Sequence, residues 1–163
     1  MKKSNRRGFI LFSLCTALLL STSMALAEGK LYPDPVEPPF AGFKPHELAF
    51  QTPQDGVARA EYKSQPFYAI ILQTTQACSV TEKERLAVQA LFPKNKVFTT
   101  RFGCDGNVEE YITYTNVKPG LGFIAVYAGL THPEAEQFLQ IVKTTGRFSG
   151  ANIRKMQVVL VYP

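Results

Sequence analysis

Along residues 67–161 short apolar runs alternate with polar, turn-rich stretches, and the spacing of the runs predicts the elements. Phe67-Tyr68-Ala69-Ile70-Ile71-Leu72 is wholly apolar and bounded by polar residues, the pattern of an interior strand. Thr81-Glu82-Lys83-Glu84 has the form of a capping box: the Thr81 hydroxyl accepts from the Glu84 amide while the Glu84 carboxylate reaches back to the Thr81 amide. A helix starting there passes Leu86, Ala87, Ala90 and Leu91 and stops before Pro93, with Glu82 and Glu84 at the positive end of its dipole. Lys96 to Phe102 is β-branched and aromatic and runs into the turn Gly103-Cys104-Asp105-Gly106, a second strand and its exit. Tyr111 to Thr115 reads as an additional short strand, Phe123 to Ala128 as the next, and Ile153 to Val161 as the last. Between the last two, a second capping box, Thr131-His132-Pro133-Glu134, opens a helix whose apolar residues Ala135, Phe138, Leu139 and Val142 fall at i, i+3, i+4 and i+7, with Gly146 as its left-handed stop. The order β-α-β-(β)-β-α-β, two similar halves, predicts an α+β fold. The expectation is a single domain over residues 66–163, with one antiparallel sheet and two helices packed on one face.

Alternation within the strand at 123–128 assigns its faces. Ile124, Val126 and Ala128 suit the side beneath the helices, so Phe123, Ala125 and Tyr127 point the opposite way. Two rings on a face without helices make a stacking ledge for the apolar side of a sugar, which needs contact area and flanking hydrogen bonds rather than charge. Residues 28–65 carry Pro33, Pro35, Pro38, Pro39, Pro45 and Pro53 and no sustained apolar period, the composition of an extended linker or a strap over a surface. If Phe40, Phe43 or Phe50 of this segment lies over Phe123 and Tyr127, those rings are ordinary core instead of a site.

The N-terminus changes the reading of charge and of cysteine. Lys2, Lys3, Arg6 and Arg7, the apolar run from Phe9 to Leu20, and Ala25-Leu26-Ala27 are the three parts of a secretory signal peptide over residues 1–27, with an apolar run too short for a permanent anchor. The expected compartment is therefore the periplasm, with no integral membrane segment after cleavage. Removing four of the 18 basic residues leaves 14 against 13 acidic ones, net +1, so the basic balance of the whole chain gives no support to nucleic-acid binding. Losing Cys15 leaves Cys78 and Cys104, expected to form one disulfide in an oxidising compartment.

No catalytic constellation is visible. His46 and His132 are the only histidines, His46-Glu47 lacks the second histidine of a zinc-protease helix, and His132 reads as a polar residue of a helix's first turn. There is no nucleophile elbow and no phosphate-cradling glycine loop, so neither enzyme activity nor a cofactor is expected. Gly120-Leu121-Gly122-Phe123-Ile124-Ala125-Val126 looks superficially like the aromatic strand of RNA-recognition modules, but Pro119 replaces the leading basic residue and Val126 the final aromatic.

The chain resembles the SPOR (sporulation-related repeat) domains of bacterial envelope proteins. Val126-Tyr127-Ala128-Gly129-Leu130-Thr131 is similar to that family's valine-x-x-glycine turn, and Glu134 to Leu139 with Gly146 to its second helix and stop; Phe67 to Phe102 follows the pattern alone. The resemblance implies binding of peptidoglycan glycan strands stripped of stem peptides at the sheet face without helices. Phe123 keeps an aromatic position of the family and Ala125 stands where it has arginine. Ile71 stands where a strand glutamine is usual, with Gln73 two residues on and expected to point the same way. The expected ligand-binding residues are thus Phe123, Tyr127 and Gln73. The alternative is a protein-interaction subunit of an envelope assembly, such as a secretion or pilus apparatus, in which the sheet or its edge receives another chain.

Overall fold

A computed structural model describes residues 28–36, 38, 42–52, 61–100, 112–118 and 120–161. The proposed signal peptide and Cys104 lie outside them. The main sheet has four strands, β4 (Phe67–Gln76), β5 (Val97–Thr99), β7 (Leu121–Gly129) and β8 (Asn152–Met156), in the order β5-β7-β4-β8 with every neighbouring pair antiparallel. Helix α1 (Glu82–Gln89) connects β4 to β5, and α2 (His132–Thr144) connects β7 to β8. In each half a helix links two strands separated by one other, the split β-α-β arrangement of an α+β fold. Both helices start at complete capping boxes, at Thr81 with Glu84 and at Thr131 with Glu134.

One core lies beneath the helices. Ile70, Leu72, Ile124, Val126 and Ala128 from the sheet meet Val88, Phe92, Ala135 and Val142, with Phe138 and Leu139 half-buried at its margin. The inner face of α2 is the one its period predicts. That of α1 differs: Leu86, Ala87, Ala90 and Leu91 are exposed, and Arg85 and Val88 turn inward. Polar bonds decide that orientation. The Arg85 guanidinium pairs with Glu82 at 2.5 Å and donates to the Val97 carbonyl at 3.1 Å, while the Gln89 side chain accepts from the Val97 amide at 2.8 Å and donates to the carbonyls of Phe92 and Asn95. The helix is held to the end of the sheet through its polar side chains, and these bonds supply partners for the backbone of a strand that, among the described residues, pairs with no further strand on that side.

A second core occupies the opposite face, beneath a second layer of backbone. A three-stranded antiparallel sheet, in the order β3-β9-β6, is built from β3 (Glu61–Lys63), β9 (Val158–Val161) and β6 (Ile112–Tyr114), and a two-stranded ribbon pairs β1 (Leu31–Tyr32) with β2 (Ala49–Phe50). Leu31, Leu48, Phe50 and Tyr62 from the Pro-rich segment share this core with Phe67, Phe98, Tyr114 and Phe123. The described parts of residues 28–65 therefore behave as a structured strap, with the Leu48 amide donating to the Tyr114 hydroxyl at 3.1 Å.

The stretch 153–161, read as one strand, divides between the two sheets at Gln157. The break is fully bonded: the Gln157 amide donates to Thr115 Oγ1 at 2.8 Å, its side chain to the Ser64 carbonyl at 2.8 Å, and the Val158 amide to Ser64 Oγ at 2.9 Å. These bonds let the chain leave one layer for the other without orphaning its backbone groups.

Candidate functional site

The three residues expected to bind a sugar are not gathered on one surface. Phe123 is 2% exposed, enclosed edge-on between Phe98 at 5.9 Å and Tyr114 at 5.4 Å between ring centroids. The alternation correctly sends it away from the helices, but the second layer then covers it, so it is not an open stacking ledge. Tyr127 is half-buried at the edge of the same core, 5.9 Å from the Phe67 ring, and burial followed by the Glu134 carboxylate raises its phenol's pKa. Gln73 faces the other way. The β4–β7 register slips between Ile71 and Gln73: Ile71 pairs with Ala125, Gln73 with Ile124 and Thr74 with Phe123. Paired residues share a face, so the bulge turns Gln73 to the helix side with Ile124 and gives the strap side to Thr74.

Among the described residues, the second layer leaves an opening on that face. A cleft with about 440 Å³ of space, its open mouth included, is lined by Thr74 of β4, Leu121 and Phe123 of β7, Arg154 of β8, and Asn116 and Lys118 of the loop after β6. Leu121 and the edge of Phe123 supply apolar surface, Thr74 a hydroxyl, and Lys118 and Arg154 cations from exposed positions. Asn116 adopts φ 62°, a left-handed turn position asparagine tolerates, and its side-chain amide donates to the Lys155 carbonyl at 3.1 Å, which ties the loop to β8. Arg154 is oriented in turn by a bond from its Nε to Asn152 Oδ1 at 3.0 Å. A concave apolar floor with a few fixed polar groups is the usual form of a small-ligand site.

The remaining candidate residues are structural in their surroundings. His132 sits edge-on to Tyr68 at 5.5 Å, with Nδ1 3.5 Å from the Glu136 carboxylate. His46 is buried, and its carbonyl accepts from the Thr99 amide at 3.0 Å. Cys78 stands in the turn after β4 at φ 67°. Sequence reasoning missed Thr74, Asn116, Lys118, Leu121 and Arg154. The polar residues among them sit in stretches dense with exposed polar side chains, and only the bulge in β4 and the crossing of β9 bring them together.

No family model matches the chain, and neither a curated protein nor a solved structure matches it. Among the described residues no helix is long and apolar enough to cross a membrane.

Proposed function

We propose that the mature chain is an exported, non-catalytic protein of the bacterial cell envelope that binds peptidoglycan glycan strands, and that it does so in the cleft between β4, β7, β8 and the loop at 115–118. The observation that carries this reading is the chemistry of the cleft: apolar surface from Leu121 and Phe123 beside the cations of Lys118 and Arg154, on the sheet face away from the helices. A glycan strand offers apolar ring faces, hydroxyls and, once a stem peptide has been removed, a carboxylate on the sugar that carried it. Ring faces fit the floor and the carboxylate fits either cation through a charge-assisted hydrogen bond. The reading keeps the ligand that the SPOR resemblance implies and replaces the ledge of Phe123, Tyr127 and Gln73 as its site.

Export rests on the signal-peptide pattern of residues 1–27, and in the periplasm Cys78 and Cys104 would pair, stabilising the fold by roughly 3–4 kcal/mol on a chain-entropy basis. Thiol labelling of the unfolded, non-reduced mature protein should then find no free thiol; stoichiometric labelling would contradict the pairing. Binding is tested by pelleting with purified sacculi. The mature protein should sediment with them, more so after amidase treatment, and the double variant Lys118→Glu, Arg154→Glu should remain in the supernatant. Failure of the unaltered protein to sediment with either preparation would overturn the proposal.

A further inference from the structure

The two edges of the four-stranded sheet are finished differently. At β5 the outward backbone groups are occupied: the Val97 amide by Gln89, the Val97 carbonyl by Arg85, and the Thr99 amide by the His46 carbonyl. At β8, among the described residues, one bond reaches the backbone from outside the β4 ladder, from Asn116 Nδ2 to the Lys155 carbonyl. That bond places Lys155 in the outward-facing set, and strand alternation adds Ile153 to it, since every second residue of an antiparallel edge turns both backbone groups away from its neighbour. Among the described residues, the amides of Ile153 and Lys155 and the carbonyl of Ile153 form an open row.

The segment that carries this edge has charge of one sign, and Glu28, bonded to the Gln157 side chain just past β8, is the carboxylate that reaches its end from elsewhere. From Gln140 to Pro163 the sequence holds Lys143, Arg147, Arg154 and Lys155 and no aspartate or glutamate, in a mature chain whose net charge is only +1. The register puts the two strand cations on opposite faces: Arg154 pairs with Ala69 on the strap side, and Lys155 with Tyr68 on the helix side. A strand laid against β8 therefore meets a cation above and below the sheet. Basic side chains on an exposed edge discourage pairing with a second copy of the same edge, because the like charges would face one another, and they favour an acidic chain.

We infer that the free edge of β8 docks an extended, acidic segment of another protein, taken up as a fifth strand of the main sheet. Main-chain bonds to Ile153 and Lys155 give the contact its geometry, and carboxylates on the incoming strand meet Lys155 on one face and Arg154 on the other, with Arg147 exposed nearby in sequence. The inference is independent of the glycan reading apart from Arg154 and Asn116, which border both the cleft and the edge.

The test uses the mature protein and short synthetic peptides of repeated Thr-Glu-Glu, the same peptide with alternate amides N-methylated, and a Thr-Lys-Lys counterpart. Amide hydrogen exchange at Ile153 and Lys155 should slow by about tenfold or more with the acidic peptide and stay unchanged with the other two. Lys155→Glu should weaken binding about tenfold and raised salt should weaken it further, whereas Lys118→Glu should leave it intact. Absence of protection at those amides, equal binding of the N-methylated peptide, or protection conferred by stripped glycan strands instead of the peptide would each overturn the inference. A failed sacculus assay combined with edge protection would refute the glycan reading and leave this one standing.

Discussion

Phe123 is wedged between Phe98 and Tyr114 where two sheets meet, and its truncation should be felt as lost packing. Phe123→Ala removes a buried ring and should cost about 3–5 kcal/mol in urea unfolding, whereas a ring on an open ledge would leave stability nearly unchanged. Lys96 is a second residue whose surroundings set a measurable property. Its side chain reaches the Val36 carbonyl of the strap at 3.4 Å. Burial, then the neighbouring Arg85 guanidinium, pulls its pKa down from 10.5 to about 8, against Glu82, Asp34 and Glu47. Between pH 8 and 10.5 the unfolded chain holds a proton that the folded chain has released, so stability should rise with pH across that window. The Tyr114 phenol works in the opposite sense. Burial pushes it above its usual 10.0, so the unfolded chain ionises first and stability falls beyond that pH. Comparing urea midpoints at about pH 7.5 and about pH 9.5 should show the rise, and Lys96→Met should abolish it; a midpoint that does not rise in the unaltered protein would contradict the burial of Lys96.

At the scale of elements, local sequence signals were legible wherever the physics is local. Both capping boxes form: Glu134 Oε2 accepts from the Thr131 amide and hydroxyl at 2.8 Å and from the Leu130 amide at 3.0 Å, and these bonds hold its carboxyl below the usual range. Thr131→Ala should therefore cost about 1 kcal/mol, read from the thermal midpoint. Gly129, at φ 116°, has no room for a side chain beside that cap, because a Cβ would stand 2.7 Å from Glu134 Oε2. What local pattern did not reveal is where an element meets a distant one. Leu86 of α1 and Leu91 just past its end mark an apolar stripe that the protein leaves exposed, while Arg85 and Gln89 find partners in the backbone of β5. Arg85→Ala would remove the donor to the Val97 carbonyl and the ion pair that Arg85 makes with Glu82. We expect a loss of about 2 kcal/mol, smaller than for a wholly buried pair since Glu82 is partly in solvent.

At the scale of the whole molecule, the helix-covered half follows from period and punctuation, and the strapped half does not. Nothing in the stretch 153–161 announces that the chain changes sheets at Gln157, since no glycine or proline punctuates it there and the bonds that permit the switch come from Ser64 and Thr115. The same is true of the site. One register slip in β4 exchanges Gln73 for Thr74, and the second layer turns Phe123 from a surface ring into a wall whose edge is all that borders the cleft. The central claim, a glycan site in that cleft, is tested most directly by titrating isotope-labelled mature protein with stem-peptide-free glycan fragments and following backbone amide shifts. Saturable changes should centre on Thr74, Lys118, Leu121 and Arg154, with Gln73 and helix α2 unmoved. Changes centred on the helix face, or none at millimolar fragment, would contradict it.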